Sequence, residues 1–529
     1  MRFSRRASPR PFQRQSRPRP HSERPRVSAR SFKLPARAAL AFVAAVVAAL
    51  PASARESVAV STPFEVGESP AGNYLAALVA GAERDTLAAS TYFREALRAD
   101  PKNADLTERA FVASLANGNM PEAFGLAERL QKVDRANGLA NLALGIRAIK
   151  QGRWTAARGL LAKSGAGRQR DLTATLLTAW TYVGSGEPKR ALPLIEKLHD
   201  DAFSVFRDYH AGLLADVAGQ TDEARRRFEA VYKTDKNTLR LVDAYGRFLS
   251  SHGDRDKAKQ VYSDFDQVVP RHPVVVAALA DLAAGKALQP FVRNAEQGAA
   301  EVLYGLGAVG GRQGDELAAM IYLRLSLYLE ENNALATVTL ADVYERLKQN
   351  EQAIDVYDSV PENSPLRVNA DIQIALLLET MGKADEASKH LKAIVQDHPG
   401  DPEAQTALGN VDRSRKDFKG AIEAYTKAIE LSKGPEKALW SLYYYRGIAY
   451  ERDKNWPPAE ADFKKALDLY PDQPLVLNYL GYSWVDKGMN LDEAFKMLNR
   501  AVELRPQDGY IVDSLGWAHY KLGQYDEAV

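Results

Sequence analysis

The chain contains no cysteine. That excludes a disulfide framework, a thiolate metal site and a thiol nucleophile, and with no lipobox cysteine the protein is not a lipoprotein. Membrane-length apolar runs are also wanting. The apolar segment Ala38–Leu50 (AALAFVAAVVAAL) spans roughly 20 Å as a helix, short of the ~30 Å hydrocarbon core. Catalytic spellings are scarce: there is no His-Glu-x-x-His, no Gly-x-Ser-x-Gly elbow and no Walker loop. Excess positive charge is missing from the body as well. Of 70 basic and 68 acidic residues, eleven arginines, Lys33 and Glu23 lie in the first 54, which leaves 58 basic against 67 acidic residues beyond them. A mildly acidic body excludes the clustered Lys/Arg that phosphate binding needs, so no nucleic-acid partner is expected.

What is present begins with an export signal. Residues 1–37 are rich in Arg, Pro and Ser; the apolar run follows, then Pro51 and Ala52-Ser53-Ala54. Basic region, short apolar region and small-x-small cleavage site form the order of a signal peptide. The expectation is a signal peptide with a long basic leader at 1–54, a linker at 55–69 and a periplasmic body. The alternative is an inner-membrane anchor made by the uncleaved signal.

The body repeats. One alanine recurs at Ala89, Ala123, Ala157, Ala191, Ala224, Ala258, Ala318, Ala353, Ala387, Ala421, Ala459, Ala494 and Ala528. The steps are 34, 34, 34, 33, 34, 60, 35, 34, 34, 38, 35 and 34. Four residues later a large apolar side chain is frequent, as at Phe93, Phe228, Tyr262, Tyr322, Tyr357, Tyr425 and Phe463. Five residues earlier a glycine is frequent, as at Gly118, Gly152, Gly186, Gly219, Gly253, Gly382 and Gly523. These choices describe a helix–turn–helix. The alanine permits close crossing of the two helices, the large residue fills the gap on the same face, and the glycine ends the first helix in the left-handed conformation. One such unit cannot bury its apolar face alone, so neighbours must stack.

This pattern resembles the tetratricopeptide repeat family. The unit Trp440–Gln473 carries Gly447, Tyr450, Trp456, Ala459, Phe463, Ala466 and Pro471, and the last segment carries Leu515, Gly516, Gly523, Tyr525 and Ala528. The resemblance implies an all-α, right-handed α-solenoid of about twelve to thirteen 34-residue helix–turn–helix repeats. Twelve complete units are expected, starting near residues 70, 104, 138, 172, 205, 239, 299, 334, 368, 402, 440 and 474. A thirteenth, starting near 509, reaches only the beginning of its second helix at Val529, and the natural chain is expected to continue. The step of 60 divides the body into an N-terminal array at 70–272, a degenerate unit or hinge at 273–298 and a C-terminal array at 299–529.

In this family the first helices line the concave face, where ligand peptides lie. The corresponding positions give a candidate protein-binding groove of Asn410, Arg413, Tyr444, Asn478, Tyr482, Tyr510, Asp513 and Trp517. Aromatic area with few rotamers, interleaved with Asn and Asp, suits peptide recognition. Members that clamp a terminal carboxylate use basic residues at positions that here hold Thr406, Asn410, Tyr444 and Asn478, so no such clamp is expected. Gly305-x-Gly307-x-x-Gly310 has the letters of a dinucleotide fingerprint but no preceding strand, and reads as close helix packing. The histidines His199, His210, His252, His272, His390, His398 and His519 show no ligand spacing. No catalytic residue, metal or cofactor is expected, and the partners are other proteins or peptides.

The stretch Leu480-Gly481-Tyr482-Ser483-Trp484, with Leu491-Asp492-Glu493-Ala494 and Asp513-Ser514-Leu515-Gly516-Trp517, resembles bacterial envelope members of the family. Some of these deliver substrates to periplasmic proteases. The resemblance implies an exported scaffold or adaptor with peripheral envelope association. Its alternatives are an assembly factor for envelope or secretion complexes, and the regulatory half of an enzyme whose catalytic domain lies beyond Val529.

Overall fold

The computed structural model describes residues 66–529 apart from 68, 166–167, 199–202 and 433–435. The expected signal segment at 1–54, most of the 55–69 linker and His199 lie outside the described residues.

Among the described residues the regular secondary structure is entirely helical. The first pairs are α1 (Pro70–Ala82) with α2 (Thr86–Ala99), α3 (Ala104–Asn117) with α4 (Met120–Val133), and α5 (Gly138–Lys150) with α6 (Trp154–Leu161). Next come α7 (Arg168–Gly184) with the one-turn α8 (Leu192–Ile195), α9 (Ser204–Val217) with α10 (Thr221–Thr234), and α11 (Leu239–Ser251) with α12 (Arg255–Val268). A lone helix, α13 (Pro273–Ala283), and an irregular stretch at 284–294 follow. Pairing resumes with α14 (Ala295–Gln313) and α15 (Glu316–Leu329), α16 (Ala334–Arg346) and α17 (Asn350–Asp358), and α18 (Arg367–Thr380) and α19 (Ala384–Asp397). It continues through α20 (Pro402–Ser414) and α21 (Phe418–Leu431), α22 (Trp440–Arg452) and α23 (Trp456–Leu469), and α24 (Pro474–Lys487) and α25 (Leu491–Leu504). The last pair is α26 (Gly509–Lys521) with the one-turn α27 (Tyr525–Ala528). The chain is an α-solenoid in which consecutive helices pack on one another, except across the stretch at 284–294 between α13 and α14.

The repeat spelling has the local causes expected of it. Asp85, Asn119 and Asp417 N-cap the second helices with their side chains. Gly118 ends α3 at φ 90°, in the left-handed region where a Cβ is costly. Four units place Arg84, Lys348, Lys416 and Lys454 in the same conformation without that relief. The recurrent alanine is fully buried at Ala123, Ala224, Ala353 and Ala459. The residue four further on is buried too, as at Phe228, Tyr262, Tyr425 and Phe463. This residue sits against a glycine of the first helix: a Cβ on Gly447 would come within 2.8 Å of Phe463, and one on Gly409 within 2.7 Å of Tyr425.

One unit departs from the expected phase. Asp315 caps α15, and the residue four beyond the cap, which is the buried alanine in the other units, is Ala319 and not Ala318. Leu323, fully buried, accordingly takes the place expected of Tyr322. Consecutive alanines at 318 and 319 hide this one-residue shift from the spacing.

Candidate protein-binding groove

The inner face of the N-terminal pairs is built from first helices, and the chain fills it itself. Helix α14 packs on α7 and α9, and α15 packs on α3 and α5. Every residue from Gly298 to Tyr304 is buried, and no residue of α15 is exposed. A helix apolar on all sides belongs inside a protein, and α14 is spelled AEQGAAEVLYGLGAVGGRQ. Close approach depends on its glycines: a Cβ on Gly298 would collide with the Trp180 ring, and one on Gly305 would come 2.5 Å from Phe206. Lys150 Nζ donates to the Leu329 carbonyl at 2.9 Å, capping the C-terminal end of α15, and Tyr328 meets Phe124 edge-on at 5.0 Å. These contacts group α14 and α15 with the helices before residue 273, across the expected division at 273–298.

At the centre of this packing lies Glu301, 3% exposed. Arg240 of α11 holds it with both arms of its guanidinium, Nε at 3.1 Å from Oε1 and Nη2 on Oε2. Tyr209 Oη donates to Glu301 Oε1 at 2.8 Å. Burial works against the Arg240 charge, yet Glu301 outweighs it and raises the Arg240 pKa. Burial, reinforced by Glu301, pushes the Tyr209 phenol up. The neighbouring His210 is fully buried between aromatic rings, 4.4 Å from the centre of Phe206, with neither ring nitrogen hydrogen-bonded. Burial, and then the Arg240 charge, push its pKa down to about 3.

The three glycines of the fingerprint-like stretch all lie within α14. Gly305 faces Phe206; a Cβ on Gly307 would come within 2.7 Å of Leu323, and one on Gly310 within 3.4 Å of the backbone of Ala319. Their role is helix packing. Among the remaining described histidines, His272 caps α13, His252 Nδ1 lies 2.9 Å from the Phe248 carbonyl, and His519 packs edge-on against Phe495. Among the described residues no three His or acidic groups gather as metal ligands.

The candidate groove residues fall into two sets. Asn410 accepts from Tyr425 Oη at 2.8 Å, and Arg413 Nε donates to the same oxygen at 3.2 Å with its guanidinium 5.0 Å from the centre of Tyr445. Tyr444 is buried between Trp440, Tyr445, Phe463 and Tyr479. Asn410 thus ties the two helices of its own unit together, while Arg413 and Tyr444 also join one unit to the next. The second set stands on α24 and α26, first helices that lie side by side. Asn478 is half-buried with an enclosed Oδ1 that accepts no hydrogen bond, and Trp517 has an enclosed Nε1 that donates none. The Trp517 ring stacks on Tyr520 at 5.6 Å and carries Lys521 Nζ 5.1 Å above it. Around them Tyr482, Asp513 and Tyr510 are exposed, Tyr510 at 89%. This face combines exposed aromatic area with an enclosed acceptor and an enclosed donor that have no partner.

Periodicity did not reveal Trp180, Phe206, Arg240 and Glu301, because their contacts join residues up to 118 apart on different units. The available signal was an acid, Glu301, inside the apolar and glycine-rich middle of α14, Gly298 to Gly311.

Comparison with known proteins gives two matches to family models described as tetratricopeptide repeat, at residues 372–436 and 440–473. The chain is 29% identical over 200 residues to TPR repeat-containing protein PA4667 of Pseudomonas aeruginosa, covering 36% of this chain and 32% of that one. It is 23% identical over 176 residues to the human protein O-mannosyl-transferase TMTC1, covering 33% of this chain and 20% of that one. The alignments thus span a third or less of the length of these relatives. Among solved structures, the APC/C hetero-tetramer Cut9-Hcn1 aligns over 85% of this chain and 96% of that one, at 15% identity and a TM-score of 0.38.

Proposed function

We propose, from the premise that this chain belongs to the tetratricopeptide repeat family, that it is a non-catalytic scaffold whose working surface is the α24–α26 face. The observation that carries this reading is the pair of enclosed, unpartnered groups, Asn478 Oδ1 and Trp517 Nε1. An enclosed polar atom without a partner costs on the order of 1–3 kcal/mol. Turning either side chain outward relieves that cost against an extended peptide, its N–H donating to Asn478 Oδ1 and its carbonyl accepting from Trp517 Nε1. Tyr482 and Tyr510 supply stacking area, and Asp513 favours a partner with a basic group nearby. Of the other expected groove residues, Tyr444 packs on Tyr479 of α24, while Asn410 and Arg413 serve the packing of α20 with α21 and α22.

The basic leader, short apolar run and small-x-small site support a place in the bacterial envelope, reached by export. There the scaffold holds a periplasmic protease and its substrate at high local concentration. The resemblance of Leu480–Trp484 and Asp513–Trp517 to envelope members of the family supports this role. An assembly factor for envelope or secretion complexes uses the same surface with other partners. The similarity to a protein named as a transferase supports a third reading, the regulatory part of an enzyme.

The test is a cross-linked pull-down from envelope extract with the body from Arg55 onward, beside a Trp517→Ala/Tyr482→Ala double variant. A protease recovered with its substrates, and lost in the variant, supports the adaptor. Secretion or outer-membrane components lost in the variant favour the assembly reading. Partners that ignore the variant overturn the placement of the groove.

A further inference from the structure

The inner face of α3, α5, α7 and α9 is already covered by a helix pair, α14 on α7 and α9 and α15 on α3 and α5. On α14, Gly298, Glu301 and Gly305 stand at i, i+3 and i+7, one stripe of the helix surface. Each meets one feature of the N-terminal array: Gly298 the Trp180 ring, Glu301 the Arg240 guanidinium with the Tyr209 hydroxyl, and Gly305 the Phe206 ring. Neither glycine tolerates a side chain, and the acid is one that an apolar groove would reject without Arg240 opposite. The stripe is therefore read in shape and in charge, by residues from three different units. Beyond α15, Gln349 Nε2 donates to the Glu83 carbonyl at 3.4 Å and Thr86 Oγ1 lies 3.4 Å from Tyr344 Oη, so the α16–α17 unit touches the α1–α2 unit at one end of the wedge.

We infer that α14 is a built-in ligand of the N-terminal array, and that by occupying the groove it shuts this half of the solenoid against outside helices of the same signature: small, two residues, acid, three residues, small. This goes beyond the proposed α24–α26 surface and does not depend on it. The N-terminal groove recognises a helix of defined spelling, and capture of a partner there requires α14 to leave.

The test uses the full chain and a fluorescent peptide of residues 295–313. Two variants weaken the built-in copy: Gly305→Leu, which drives a side chain into Phe206, and Glu301→Gln, which leaves Arg240 without its acid. The peptide restores the glycine in one case and the acid in the other. The expected result is peptide binding at least tenfold tighter to the variants than to the unaltered chain, abolished when the glutamate at position 301 is replaced by alanine in the peptide. Equal binding by all three chains, or none by either variant, overturns the inference. Hydrogen exchange on the unaltered chain decides it even if both variants misfold. Amides of α14 should open while those of α3–α9 stay protected; opening of α14 only together with α3–α9 overturns the inference.

Discussion

Glu301 of α14 and Arg240 of α11 form a bidentate ion pair inside the solenoid, with Tyr209 as a third partner. The pair joins two first helices that α13 and the irregular stretch at 284–294 separate along the chain, and it fixes α14 within the N-terminal helices. Glu301→Ala leaves a buried guanidinium unpaired, which costs roughly 3–5 kcal/mol. A repeat array need not unfold in a single step. The loss is therefore expected in the urea transition reported by Trp180, while a probe on α22–α24 moves less. Replacing both partners, Arg240→Met with Glu301→Leu, should recover most of it.

His210 sets an acid limit on stability. Its folded pKa, about 3, lies below the ordinary 6.5 because of burial and then Arg240. Above pH 6.5 the ring is neutral in both states and the fold has its full stability. As the pH falls below 6.5 the unfolded chain binds a proton that the folded chain refuses. Stability then drops by about 1.4 kcal/mol per unit until the folded pKa is reached. His210→Phe should flatten the stability profile between pH 6.5 and 5, above the range where carboxylates dominate. An unchanged slope in urea midpoints would refute this.

The turn of the α20–α21 unit carries strain that the preceding unit avoids. Lys416 holds φ 65° where Gly118 and Gly382 serve the same purpose elsewhere. Lys416→Gly should stabilise that unit by about 0.5–1 kcal/mol, the left-handed penalty less the entropy glycine loses on folding. A rise of a degree or more in the melting of the C-terminal pairs is the expected reading.

Gly447 has the opposite sensitivity. Its missing Cβ is the space that Phe463 fills at 2.8 Å. Gly447→Ala improves helix propensity yet forces the ring aside, so a net loss of roughly 1–3 kcal/mol is expected. Adding Phe463→Leu should return part of that loss, a coupling that a double-mutant cycle measures.

The helix–turn–helix units were legible in the sequence because their causes are local. A left-handed glycine, a capping Asp or Asn and a crossing alanine each act within a few residues, and thirteen copies reinforce one another. Ala318 shows the limit: two adjacent alanines satisfy the same spelling, and only the Asp315 cap chooses between them. The groove was half legible. Offsets along the first helices picked out Asn478 and Trp517, but could not separate them from Asn410 and Tyr444, whose side chains are spent on Tyr425 and a ring cluster. The wedge of α14 and α15 was not legible, because periodicity describes contacts between neighbouring units and says nothing of a unit folded back onto others.

The central claim, that the α24–α26 face binds an extended peptide through Asn478 and Trp517, is tested most directly by titration calorimetry. The ligand is the strongest binder that a display library of random peptides yields on the full chain. Asn478→Ala and Trp517→Phe should each weaken it tenfold or more with the fold unchanged, and N-methylation of one peptide amide should reproduce the loss seen with Asn478→Ala. Binding that survives both substitutions undiminished would contradict the account.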